Sequence, residues 1–104
     1  MDPTQTIVIT DHATSRVRGR LGWTTATMHR MAATVLRDGV RYAETAGELK
    51  RFLAAGMIKH RAGNQARIYG HDLFVFQDIT LITVIHLPAR FHAVVDKIRR
   101  QRHE

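Results

Sequence analysis

The sequence predicts an α+β domain in the order β-α-α-α-β-β-β-α, with helices packed on a small, mainly antiparallel sheet. Three observations carry this expectation. Arg67 to Gly70, Leu73 to Gln77 and Leu81 to Leu87 are rich in β-branched and aromatic residues, and Gly70-His71-Asp72 and Asp78 separate them as turn residues do. The nearly unbroken apolar run Leu73-Phe74-Val75-Phe76 marks a central strand buried on both faces. Before and after this meander, apolar residues recur at helical spacing, and a sheet of this size needs helices to cover it.

Taken in order, Gln5 to Thr10 reads as a first short strand, with Ile7 and Ile9 sharing a face. Thr10 or Asp11 is placed to cap a helix from His12 to Arg20, accepting a hydrogen bond from a first-turn amide that lacks a partner within the helix. Leu21-Gly22 ends it. Thr24 or Thr25 caps a second helix reaching Asp38, where Met28, Met31, Ala32, Val35 and Leu36 fall at i, i+3, i+4, i+7 and i+8. Gly39 is placed to end that helix in the left-handed conformation. Thr45 and Glu48 form a capping-box pair for a third helix, with Leu49, Phe52 and Leu53 inward and Gly56 as the stop. A polar, basic loop from Lys59 to Asn64 then leads into the sheet. After the sheet, Pro88 opens a last helix carrying Phe91, Val94, Val95 and Ile98 on one stripe, and the basic end from residue 98 to 104 is expected to fray.

Composition narrows the function. The 104 residues make one domain, and an apolar content of 44% argues for a packed core. With no cysteine, a disulfide framework, a thiolate zinc site and a cysteine nucleophile are all excluded. No apolar run approaches the roughly 20 residues of a membrane span. The residues Met1-Asp2-Pro3-Thr4-Gln5 lack the pattern of a signal peptide, so a cytoplasmic location without a membrane partner is expected. The 16 basic residues, 13 of them arginine, face 9 acidic ones and leave a net charge of +7. Arginine excess suits bidentate phosphate recognition, which makes nucleic acid the leading partner class. The alternative is a coding bias that writes arginine on a solvated surface.

The sharpest local pattern is His12, Arg16 and Arg20 at i, i+4 and i+8, which places one histidine and two arginines along one helix face. Read alone, the three residues are better taken as a solvated basic face with a histidine beside a cap. Together with the preceding strand, with Val35-Leu36-Arg37-Asp38-Gly39 closing the second helix, and with Ile82-Thr83-Val84 in the last strand, the pattern resembles a known family. It is similar to the small DUF4258-type proteins and the related BrnT-type toxins of the barnase, EndoU, colicin and RelE superfamily, over roughly residues 7 to 40 and 65 to 87. The resemblance implies a compact α+β fold and a metal-independent endoribonuclease that needs no cofactor, with RNA as substrate and an antitoxin or host protein as a further partner. It implies that His12 is the base or acid, Arg16 and Arg20 the phosphate clamp, and Thr83 a hydroxyl donor to the phosphate.

Other residues rank below these. His86 is an alternative catalytic proton carrier, but three strand residues from Thr83 it faces the opposite way unless a bulge intervenes. His60 and His71 in loops are further candidates. Lys59, Arg61 and Arg67 could track a nucleic-acid backbone, and Tyr69 could stack a base. For each, a solvated charge or a core aromatic is the plainer alternative, and Trp23 is expected to be a packing anchor. No two histidines stand at i, i+3 or i, i+4, so no metal site is expected. Two other functions stay open: a non-catalytic binding protein or conflict-system inhibitor on the same fold, and a DNA-binding regulator using residues 12 to 20 and 24 to 38 as a helix-turn-helix.

Overall fold

The structure, a computed structural model, describes residues 7–59 and 65–102, with the backbone alone at 58 and 59. The chain runs β1 (Val8–Ile9), α1 (Asp11–Leu21), α2 (Thr25–Asp38), β2 (Val40–Arg41), α3 (Gly47–Lys59), β3 (Gln65–Tyr69), β4 (Asp72–Gln77), β5 (Thr80–His86) and α4 (His92–Gln101). Short 3-10 turns precede α3 at Tyr42–Glu44 and α4 at Ala89–Phe91. This is the expected α+β order with one addition. The strand β2 is only two residues long, too short to show any period in the sequence.

The five strands lie in the order β1-β5-β4-β3-β2. Two-residue turns at Gly70-His71 and Asp78-Ile79 join β3, β4 and β5 into the antiparallel meander, while β1 runs parallel to β5. As expected, β4 is the central strand, and Leu73, Phe74, Val75 and Phe76 are all at most 1% exposed. Their side chains alternate. Phe74 and Phe76 pack with Ala13, Val17, Met28, Ala32 and Val35 under α1 and α2. Leu73 and Val75 pack with Leu49, Leu53, Phe91 and Val95 under α3 and α4. Truncating either phenylalanine to alanine removes enough buried apolar surface to cost about 3–5 kcal/mol. Trp23 anchors the α1–α2 connection by stacking on Phe74, ring centres 6.2 Å apart.

The helix caps agree with the sequence except at two glycines and one threonine. Thr10 caps α1, Thr24 caps α2, and Gly22 ends α1 at φ 66°, where a side chain is strained. Gly39 instead is extended, at φ −60° and ψ 156°. It is small because a Cβ there would come within 2.7 Å of the Val35 carbonyl oxygen and 2.8 Å of Arg67 Cβ. Gly56 does not stop α3, which continues to Lys59 because burial of the helix against the sheet outweighs one unfavourable glycine. Thr45 donates its hydroxyl to the Tyr42 carbonyl rather than taking part in a box with Glu48, and Glu44 accepts from the Arg41 amide one turn earlier. At the end of α4, Arg102 is held by Glu44 and by the carbonyls of Asp38 and Gly39. Fraying of His103 and Glu104, the loop residues 60 to 64 and the strand residues before Ile7 lie outside the described residues.

Candidate active site

The N-terminus of α1 is tacked to the middle of β5. Thr10 donates its amide to the Leu81 carbonyl and its hydroxyl to the Ile82 carbonyl, each at 3.1 Å, while the same hydroxyl oxygen accepts from the Ala13 amide. Opposite this point the β4–β5 register slips: Phe76 faces Leu81 but Val75 faces Thr83, so Ile82 is an extra residue in β5. A bulge of this kind turns the strand and re-aims a neighbouring side chain. Here it brings Thr83 to the first turn of α1, where its Oγ1 lies 3.0 Å from Nε2 of His12.

His12 is exposed, whereas Thr83 is only 2% exposed. The hydroxyl is therefore taken by the imidazole and shielded from solvent, which differs from the expected direct donation to a phosphate. Thr83 holds the ring in place, and the ring faces outward. Along the same helix face Arg16 and Arg20 are exposed, and an open groove of about 600 Å³ is lined by Ser15, Arg16, Gly19 and Arg20. From His12 these guanidinium-bearing residues follow at about 6 Å axial steps. The adjoining face, Ala13 and Val17, is fully buried, so the amphipathic spacing fixes which side of α1 meets solvent.

Gly19 is a residue that sequence reasoning missed. It sits in the interior of α1, where glycine costs about 1 kcal/mol relative to alanine, and a Cβ there would meet nothing within 4 Å. Packing gives no reason for it. Its spacing of seven residues from His12 is a readable signal of a position on the same face.

His86 is not part of this constellation. The register from Thr83↔Val75 to His86↔Asp72 is unbroken, so the two residues keep opposite orientations, and the bulge lies before Thr83 rather than between them. His86 Nδ1 lies 3.3 Å from Asp72 Oδ1, and its ring meets that of His92 edge-on. His92 donates Nε2–H to the Leu87 carbonyl and stacks on His71 at 3.9 Å; His71 in turn pairs with Asp96 at 3.0 Å. That pairing holds the Asp96 carboxyl below the usual range. Among the described residues, no group of three His, Asp or Glu side chains is placed to hold a metal ion.

Arg67 departs from its expected place on a nucleic-acid surface. At 8% exposed, its guanidinium donates to the Leu36 carbonyl, the Ala66 carbonyl and Gln65 Oε1, at 2.8–3.0 Å. Burial, and then the neighbouring Arg41, lower its pKa. It is a strut between β3 and α2. Tyr69 is half-buried at the end of β3 and packs against the core cluster under α1 and α2. Lys59 ends α3 with its side chain outside the described residues, as are Arg61 and His60. Compared with known proteins, the chain matches no family model, no curated protein and no solved structure.

Proposed function

We propose that the protein is a metal-independent endoribonuclease that cleaves RNA by attack of a 2′-hydroxyl on the adjacent phosphate. The observation that carries this reading is the 3.0 Å contact between His12 Nε2 and Thr83 Oγ1. When His12 donates its Nε2–H to Thr83, the tautomer is fixed and Nδ1 keeps a lone pair on the open side of the ring. That nitrogen takes the proton of the 2′-hydroxyl. The 2′-oxygen then bonds to phosphorus, the bond to the 5′-oxygen breaks, and the leaving oxygen takes a proton from water at this exposed site.

Arg16 and Arg20 supply the fixed positive charge that the phosphate needs as the transition state forms. The exposed groove beside Gly19 offers the strand a path along both arginines. Thr83 acts through His12 and does not touch the RNA. The helix-turn-helix alternative is less well supported, because α2 buries Met28, Ala32 and Val35 and its His29 ring is engaged by the Ile7 carbonyl.

The test is cleavage of total RNA by the purified protein in EDTA, alongside His12→Ala and Arg16→Ala. Fragments with 5′-hydroxyl and cyclic-phosphate ends are expected from the wild type alone, and both variants should melt as it does, since both residues are exposed. An intact RNA population after incubation with folded wild type would overturn the reading in favour of a non-catalytic binding protein.

A further inference from the structure

A second arginine-lined feature lies at the far edge of the sheet. A cleft of about 420 Å³ opens between the C-terminal ends of α2 and α4, lined by Arg37, Asp38, Val40, Ile68, Tyr69, Arg99 and Arg102. It exists because β2 is so short. Val40 pairs with Ile68, and nothing in β2 pairs with Tyr69, so the strand edge is open where the two helices end.

The wall and the rim differ in kind. Arg102 is committed to Glu44 and two carbonyls, and so builds the wall. Arg37 and Arg99 are exposed, with side chains 68% and 49% accessible. Arg37 donates Nε and Nη2 to the two carboxylate oxygens of the adjacent, half-exposed Asp38 at 3.0 and 2.9 Å, and Arg99 stands 3.8 Å from Asp96. Both pairs are open to solvent, where an incoming phosphate competes with the carboxylate for the guanidinium. The cleft is also lined by Val40 and Ile68, each 1% exposed, and by the half-buried Tyr69, which packs on the other face of the sheet. Cationic ends around an aromatic, apolar centre suit a planar base flanked by phosphates.

The cleft lies where β3 ends, and Thr83, which holds His12, lies at the middle of β5, two strands away. Tyr69 stands opposite Asp72, and Asp72 opposite His86, three residues beyond Thr83. Two strand spacings across and three residues along put Tyr69 roughly 14 Å from Thr83. A short RNA strand is long enough to span that distance.

We infer that this cleft holds a nucleotide, with Arg37 and Arg99 on the phosphates at its two sides and Tyr69 against its base. Its source is a nucleotide of the RNA strand away from the scissile bond, which rests on the ribonuclease reading, and the same chemistry is shared by a free mononucleotide. The probes are a short 2′-O-methyl RNA oligomer, which cannot be cleaved by 2′-hydroxyl attack, and adenosine and uridine 5′-monophosphates.

Binding is measured for the wild type, Arg37→Ala/Arg99→Ala, Tyr69→Leu and, as a charge control on exposed α3 surface, Arg51→Ala. The double variant is expected to bind the oligomer about tenfold or more weakly, with the slope of log Kd on log salt reduced by about 1.4, or 0.7 for each phosphate left without its arginine. Tyr69→Leu is expected to bind about tenfold more weakly without a change of slope. Arg51→Ala should bind the oligomer as the wild type does. Mononucleotide binding equal to that of the oligomer, and abolished in the double variant, would keep the cleft and assign it to free nucleotides. An unchanged affinity and slope in the double variant would overturn the inference, as would a wild type that binds neither probe. A wild type that cleaves nothing yet binds the oligomer through Arg37 and Arg99 would retire the nuclease reading and leave the cleft standing.

Discussion

His12 and Thr83 lie 71 positions apart in the chain and 3.0 Å apart in space. The contact depends on two backbone events, the Thr10 tack to β5 and the extra residue Ile82, neither of which involves the ring itself. The scaffold thus places the histidine, and the threonine sets the orientation of its ring.

Thr83→Val keeps the shape of the side chain and removes its hydroxyl. Cleavage is expected to fall about 10–100-fold in kcat with little change in KM, because a positioning residue affects the base and not substrate binding. Thr83→Ser should retain most of the activity. Stability of both variants is expected to stay within about 1 kcal/mol of wild type, since the exposed ring can turn to water. A large rise in KM or a collapse of the fold in Thr83→Val would contradict the role; steady-state kinetics and urea unfolding read both.

Gly19→Ala separates the interests of the helix from those of the site. The open space around Gly19 predicts a gain of about 0.5–1 kcal/mol in stability from better helix propensity. The new methyl projects into the groove between Arg16 and Arg20, so RNA affinity and cleavage should fall together. A variant that is more stable and fully active would show that the strand does not run along this face.

Much of this architecture is legible in the sequence, for physical reasons that also explain the gaps. The β-branched and aromatic runs of β3 to β5 and the stripe of α2 report burial directly, and burial decides those elements. The pair Val40–Arg41 is too short for any period, and its pairing with β3 is set by tertiary contact. At Gly39 the sequence shows that a small residue is wanted but not why, because the close approach of Arg67 comes from another strand. In the site, helical spacing alone places His12, Arg16 and Arg20 on one exposed face. That Thr83 meets His12 instead of open solvent depends on the β5 bulge, which no local pattern announces. The two arms of the further cleft, Arg37 and Arg99, come from different helices and share no sequence signal at all.

Arg67 tests whether a basic residue near a sheet edge serves binding or folding. Arg67→Met fills similar space but leaves the Leu36 carbonyl without its donor, and about 2 kcal/mol of stability should disappear. The salt dependence of RNA binding should not change. A variant of native stability whose salt slope drops by about 0.7 would instead make Arg67 a phosphate contact.

The clasp between Glu44 and Arg102 joins the end of α4 to the turn after β2, and it should be visible as acid sensitivity. Hydrogen bonding from Arg102, and next from the Arg41 amide, holds the Glu44 carboxyl below the usual carboxylate range. In the unfolded chain the group titrates near 4.3. A depressed folded-state pKa contributes stability that is fully present above the unfolded value and is lost as pH falls through the folded one. Glu44→Gln is therefore expected to be on the order of 1 kcal/mol less stable than wild type at neutral pH, a modest figure because both side chains are about a third accessible. The difference should shrink below about pH 4.3 and vanish once Glu44 is protonated in the folded protein. Urea midpoints across the acid range measure it. Asp38 and Asp96 also titrate below the ordinary range, held by Arg37 and His71 respectively, so both chains keep a common acid limb and only the difference between them reports Glu44. A gap between the two curves that does not change with pH would show that the contact acts through packing, with no contribution from the carboxylate charge.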